Sequence, residues 1–332
     1  MNKTATKVLA LCAAAMMTLT ACTGNAPATE EEKPSDAAST ETKDEATDKK
    51  DEDKTADASA VTGKHEITDL VLPKLAQNEL TTFNILHSET NEDFEILFNL
   101  VEGLLEKDSL DKRHPCVATE WGTEDGGLNW TFKLRNDVKW VDMNGNVKAD
   151  CVADDFLTAL EWTLNFHKND SIGTSMPCQM IKGAQEYYDY TKGLSKEEAY
   201  ALTAGEGSKF REMVAVEAPD AYTLHYTCTA EKPYFDSLMS YTTGMPMSQA
   251  MIDELGGVDG VRAMNNENMW YNSCYTMTSY LQGNEKVLTK NPEYWDKDCF
   301  LFDTVTIRMV ESNDVAYQLY QSCINLVDRT AP

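Results

Sequence analysis

Residues 23–63 set the tightest limit on what this chain can fold into. The tract holds twelve Asp and Glu against five Lys, with almost no large apolar side chain. Such a composition cannot bury enough surface to offset the entropy lost on ordering, so it reads as a disordered acidic linker. A flexible chain of that length spans about 30–40 Å root-mean-square, and its like charges extend it further. Any packed core must therefore come from the residues beyond it. Overall the 332 residues are 42% hydrophobic, enough for a core and for about two domains. Formal net charge is −26, of which residues 1–22 carry +2 and the linker −7, leaving −21 on the remainder. A body that acidic repels phosphate backbones, which excludes sequence-independent nucleic-acid binding. No apolar run of about 18 residues follows the N-terminus.

Lys3 and Lys7 open the chain, Val8 to Thr18 is apolar, and Leu19-Thr20-Ala21-Cys22 follows. The apolar stretch is too short for a stable span but suits a signal-peptide core. The tetrapeptide resembles the lipobox of bacterial lipoproteins. That resemblance implies cleavage before Cys22 and S-alkylation of its thiolate, a soft nucleophile, by a lipid donor, with palmitate among the acyl chains carried. Acyl chains contribute about 0.8 kcal/mol per buried methylene, and two or more anchor stably. The expectation is a protein held at the cell membrane on its extracytoplasmic side. The alternative is an ordinary secretory signal with a chance cysteine.

From Lys64 the pattern turns globular. Ile67 to Pro73 reads as a strand, and Phe94, Leu97, Phe98, Val101 and Leu105 form a helical stripe over Asn91 to Leu105. Leu128, Trp130, Phe132 and Leu134 alternate after an Asp125-Gly126-Gly127 turn, which predicts a half-buried strand with Lys133 and Arg135 outward. Val152, Phe156, Leu160 and Leu164 mark a helix opened by acids, and Ser195-Lys196-Glu197-Glu198 fits a capping box. Tyr222 to Cys228 alternates again. Tyr275–Leu281 and Lys286–Thr289 flank a turn as a hairpin, Thr304–Val310 is a strand, and Val315–Ser322 a helix. This mixture predicts an α/β fold with antiparallel segments and no internal repeat.

Catalytic and metal patterns are missing. His65-Glu66 begins like a zinc-protease motif, but Asp69 stands where the second histidine would be. The seven cysteines after Cys22 include no C-x-x-C pair, so metal spacing is lacking, and buried free thiols are favoured over a disulfide framework. There is no G-x-S-x-G elbow and no Walker loop; Gly256-Gly257 reads as a helix stop. Asp154 and Asp155 are adjacent and would point apart, serving the helix dipole. No catalytic residue, metal or cofactor is expected, and the chain is read as a non-enzyme.

Several segments line up in order: Val101-Glu102-Gly103-Leu104-Leu105, His114-Pro115 to Trp121, Trp130 to Arg135, Val138-Lys139-Trp140, Ala149 to Phe156, Val216 to Leu224, and Lys290-Asn291-Pro292-Glu293-Tyr294-Trp295. Together, across residues 64–322, they resemble the solute-binding proteins of peptide/nickel-type ABC importers, the oligopeptide- and dipeptide-binding family. The resemblance implies a periplasmic-binding-protein-like, two-lobed α/β fold that closes on ligand, with an extra subdomain. On this chain it implies a signal peptide over 1–22, the linker over 23–63, part of the main lobe in 64–101 plus 247–322, the extra subdomain in 102–246, and an aberrant tail in 323–332. The family usually continues into a second ligand-binding lobe, so the expectation is a chain truncated near Ser322 that binds weakly or not at all as it stands. Asn272-Ser273-Cys274-Tyr275 departs from the family's glycine-containing turn.

The implied function is capture of a solute, an oligopeptide by preference, and its delivery to an ABC permease and ATPase. A surface adhesion lipoprotein on the same fold, or a receptor for a nickel chelate or oligosaccharide, is the alternative. The ligand-facing segment implied by the resemblance includes Ser88, Glu89, Thr90 and Asn91, where main-chain pairing would give affinity without side-chain selectivity. The competing reading is a plain helix N-terminus capped by Thr90 or Asn91.

Overall fold

The structure, a computed structural model, describes residues 68–75 and 79–321. The expected signal peptide with Cys22, the linker 23–63 and the tail 323–332 lie outside the described residues.

The described residues begin with β1 (Asp69–Leu75), a 3-10 turn (Ile85–His87) and α1 (Asn91–Leu97). It continues with β2 (Leu105–Lys107), β3 (Arg113–Pro115), β4 (Ala118–Gly122), β5 (Asn129–Leu134), β6 (Lys139–Val141) and β7 (Val147–Asp150). A helical stretch follows: α2 (Ala153–Leu164), α3 (Ser175–Met180), α4 (Ala184–Lys192), α5 (Lys196–Tyr200) and α6 (Lys209–Met213). Then come β8 (Val216–Asp220), β9 (Thr223–Thr227), α7 (Phe235–Leu238), α8 (Gln249–Glu254), α9 (Val258–Arg262), β10 (Tyr275–Leu281), β11 (Glu285–Lys290), β12 (Thr304–Val310) and α10 (Asn313–Gln321).

Two four-stranded sheets carry the architecture. The first runs β1-β12-β11-β10, with β1 parallel to β12 in the register Asp69↔Thr304 to Leu75↔Val310 and the other pairs antiparallel. Pro73, which lacks a backbone donor, is accommodated because β1 is the outer strand among the described residues. The second sheet, β4-β5-β9-β8, is antiparallel throughout. Its β5 follows the period-two pattern: Trp130, Phe132 and Leu134 are buried, and Phe132 meets Tyr226 of β9 edge-on at 5.8 Å. The turn into β5 is held by the Asp125 carboxylate, which accepts from Leu128 N, Asn129 N, Asn129 Nδ2 and Thr123 Oγ1. The Asn129 backbone donor, the largest of these influences, helps bring that carboxyl down to about 2. The predicted capping box is present at α5, where Ser195 Oγ accepts from Glu198 N and Glu198 Oε2 accepts from Ser195 N.

The helical stripe over Asn91 to Leu105 is corrected by the structure. Helix α1 stops at Leu97, and Val101 to Leu104 are not helical but lead by an irregular path into β2 at Leu105, with Leu104 N donating to Gly244 O at 2.9 Å. A tertiary contact wins over periodicity here. A Cβ on Gly103 would lie 2.7 Å from Gly244 O, so only glycine lets the two backbones meet. The final helix also begins earlier than its pattern predicts, at Asn313.

Three of the segments that carry the resemblance converge on one buried carboxylate. Glu102 Oε1 accepts from Tyr294 OH and Cys116 Sγ, both at 2.7 Å, and Oε2 accepts from Trp295 Nε1 at 2.8 Å. Burial raises the Glu102 carboxyl above its ordinary value despite these three donors. Asn272 completes the joint: its Oδ1 accepts from Glu102 N and its Nδ2 donates to Glu102 O. None of Asn272, Ser273 and Cys274 has a positive φ, so the departure from glycine costs this turn no strain. Arg135 stacks over the Trp295 ring at 3.4 Å. The described cysteines are free thiols, and Cys116, Cys151, Cys178 and Cys228 are buried.

Candidate functional site

The segment expected to face ligand forms a loop between β1 and α1, fastened by two acidic side chains. Glu79 Oε2 accepts from Gly283 N at 2.6 Å in the β10–β11 turn, and its Oε1 accepts from Leu80 N at 2.8 Å. Lys286, fully buried on β11, forms an ion pair with the same carboxylate and lies 5.3 Å from the Tyr280 ring centroid. Desolvation acts to raise the Glu79 carboxyl, but Lys286 and the two backbone donors outweigh it and hold the group below its usual value. Phe83 meets Tyr280 edge-on at 5.1 Å, so an aromatic contact supports the ionic one.

Asp93, fully buried in α1, is the second fastening. It accepts from Thr81 N at 2.8 Å, Thr81 Oγ1 at 2.5 Å and Ser88 Oγ at 2.9 Å. Its own N–H donates to Thr90 Oγ1 at 3.2 Å, which makes Thr90 the N-cap of α1. Ser88 and Thr90 therefore serve the loop's own geometry. The side chains of Glu89 and Asn91 are exposed and take no partner among the described residues.

The backbone is the more informative part. Ser88 has φ −87° and ψ 140°, and Thr90 has φ −109° and ψ 142°, so the segment is extended like a strand. Among the described residues nothing pairs with Glu89 N–H or with the carbonyls of Ser88 and Glu89. A short extended edge with free donor and acceptor groups can add another extended chain by main-chain hydrogen bonds. Among the described residues no group of three His, Cys, Asp or Glu is arranged to hold a metal ion. A recess of about 370 Å³ opens beside Glu102, Cys116 and Cys274, but the Glu102 carboxylate in its wall is already taken up by three donors.

Residues 112–323 match the bacterial extracellular solute-binding proteins, family 5 Middle. The chain belongs to this family. Oligopeptide-binding protein AmiA of Streptococcus pneumoniae is 26% identical over 235 residues, covering 70% of this chain and 32% of AmiA. Periplasmic oligopeptide-binding protein OppA of Haemophilus influenzae is 25% identical over 240 residues, covering 72% of this chain and 40% of OppA. Among solved structures, Burkholderia pseudomallei OppA superposes with a TM-score of 0.63 at 23% identity, over 78% of this chain and 45% of that one. Listeria monocytogenes OppA bound to peptide gives a TM-score of 0.63 at 20% identity, over 78% and 46%. This family 5 chain thus has the mixed α/β fold of those binding proteins and spans about a third of the length of the curated relatives it matches.

Sequence reasoning located the loop through Ser88 to Asn91 but missed what holds it. Thr90-x-x-Asp93 has the spacing of a helix-start signal and could have flagged Asp93. Glu79 and Lys286 lie too far apart in sequence for any local pattern to link them.

Proposed function

We propose that this family 5 chain captures oligopeptides outside the cytoplasm and hands them to an ABC permease driven by its ATPase. The observation that carries the proposal is the extended Ser88–Thr90 edge, with free backbone groups on a loop fixed by Glu79 and Asp93. Such an edge reads peptide main chain and leaves side chains unread, which suits varied sequences. The relatives named as oligopeptide-binding proteins support the same reading. Glu89, exposed and unpartnered, would meet a positively charged group on the ligand, with Ser88 and Thr90 presenting the backbone and Asn91 beside them. Recognition of this kind needs no bond making, so the chain acts as a receptor rather than an enzyme.

Residues 64–101 and 247–322 would belong to the main lobe, supplying the β1-β12-β11-β10 sheet, and 102–246 to the extra subdomain, supplying the second sheet. Lipidation at Cys22 would keep the receptor at the membrane; no helix among the described residues is long and apolar enough to cross one. Amide hydrogen exchange of the full chain tests the binding reading: a pool of short peptides should slow exchange across residues 86–91. Millimolar peptide is enough to register even the weak binding expected of this chain, so unchanged exchange in that segment at that concentration would refute the reading. Fatty-acid labelling should tag the wild-type protein and miss Cys22→Ser; equal labelling of both would refute the anchor.

A further inference from the structure

The connection between α2 and α3 holds the most unusual backbone of the described residues. Asp170 (φ 50°), Ser171 (φ 66°) and Gly173 (φ 68°) are left-handed within four positions, and two of the three are not glycine. Such conformations persist only where the surroundings fix them. Here they are fixed from several sides. Arg262 of α9 donates from one nitrogen to His167 O at 3.0 Å, Lys168 O at 3.2 Å and Asp170 Oδ1 at 2.9 Å. The buried Lys168–Glu161 pair, at 2.8 Å, secures the base of the connection to α2, and Tyr188 OH donates to Ser171 Oγ at 3.0 Å.

At the centre sits Asn169, fully buried. Its Oδ1 accepts from Trp162 Nε1 at 3.1 Å, which fixes the orientation of the amide. Its Nδ2 donates to Ile172 O at 2.8 Å and to Leu86 O at 2.9 Å. The last of these bonds crosses 83 residues of sequence to reach the 3-10 turn immediately before Ser88. A Cβ on Gly173 would lie 3.8 Å from the same carbonyl, so the two chain segments approach closely there.

We infer that Asn169 is a positioning residue for the Ser88–Asn91 edge: it fastens Leu86 to the 165–174 connection, so that the edge is aimed by the helical part of the chain as well as by Glu79 and Asp93. Its importance for ligand rests on the proposed peptide-binding role, but the joint itself does not. The connection's left-handed residues follow from this arrangement, since they turn the chain so that the Asn169 amide faces Leu86.

Hydrogen exchange on the full chain decides the matter. Asn169→Asp keeps an acceptor for Trp162 and removes the donor to Leu86, leaving that carbonyl unpaired. Exchange across residues 84–91 should rise about tenfold, consistent with loss of one buried hydrogen bond, while the β4-β5-β9-β8 sheet stays unchanged. Tyr188→Phe, which loosens the same connection at Ser171 without touching Leu86, should leave residues 84–91 as they are. No rise in Asn169→Asp, an equal rise in both variants, or a rise spread over the whole chain would each overturn the inference. Should Asn169→Asp fail to fold, Trp162→Phe serves in its place, because it frees the Asn169 amide that Trp162 Nε1 orients: a several-fold rise across 84–91 supports the joint, and unchanged exchange there overturns it. A wild-type chain that gains no protection from added peptides would count against the binding role alone, since these variants report on the joint without ligand.

Discussion

Asp155→Asn should make the protein more stable, and by an amount that depends on pH. Asp155 lies in the first turn of α2, almost wholly buried, and its Oδ2 accepts from Trp140 Nε1 at 2.9 Å and Val152 N at 3.0 Å. Burial is the largest influence on its carboxyl and outweighs both donors, pushing it from 3.8 up to about 7. A carboxyl raised by folding stays protonated longer in the folded chain than in the unfolded one. Its contribution is therefore fully present below about pH 4 and is lost as pH rises toward 7. The gap is about three units, each worth about 1.4 kcal/mol, so the loss amounts to about 4 kcal/mol. Asparagine offers one oxygen to the same two donors and never ionises. Urea unfolding followed by tryptophan fluorescence should find the variant and wild type within about 1 kcal/mol near pH 4, and the variant about 4 kcal/mol more stable near pH 8. A difference that stays constant across that range, or a variant less stable at the alkaline end, would show that the two donors outweigh burial and refute the reasoning.

Three further outcomes are expected. Glu102→Ala leaves Tyr294 OH, Trp295 Nε1 and Cys116 Sγ without their acceptor, and denaturant titration should register a loss of about 3 kcal/mol or more, with Glu102→Gln recovering part of it. Lys286→Met leaves the partly buried Glu79 carboxylate with only its two backbone donors and should cost about 1–3 kcal/mol, most of it restored in the Glu79→Gln/Lys286→Met double variant; because folding lowers the Glu79 carboxyl, the wild-type advantage should fade as pH falls below about 4.5. Gly103→Ala pushes a methyl group against Gly244 O and should lower stability by about 1–3 kcal/mol, visible as a drop in Tm.

Local patterns in the sequence were enough to find elements whose stability is local. The alternation of Trp130, Phe132 and Leu134 gives β5, and the Ser195–Glu198 box gives α5, because period and cap are properties of a few neighbouring residues. The apolar stripe after Asn91 misled because Gly103, by admitting Gly244, draws Val101 to Leu105 out of the helix into a contact 141 positions away in sequence. Adjacent acids at Asp154 and Asp155 point apart as their helical spacing predicts, Asp154 to Arg211 at the surface and Asp155 inward to Trp140, but nothing local in the sequence names either partner. The candidate edge was legible only as a position. Its fastenings, Glu79 to Lys286, Ser88 to Asp93 and Asn169 to Leu86, mix one near-neighbour bond with two that exist only once distant segments have come together.

The parallel pairing of β1 with β12 has a consequence for how the protein comes into being. Asp69 finds its partner at Thr304, 235 positions later, so β1 emerges from the ribosome long before anything in the described chain can complete its hydrogen bonds. At ordinary elongation rates that wait lasts about 10–50 seconds. Throughout it, Leu70, Val71 and Leu72 are an apolar run whose backbone groups lack their β12 partners, the kind of segment that can pair with other chains. The first described strand is thus among the last to be secured, and a factor that shields it until residues 304–310 are available should raise the yield of folded protein.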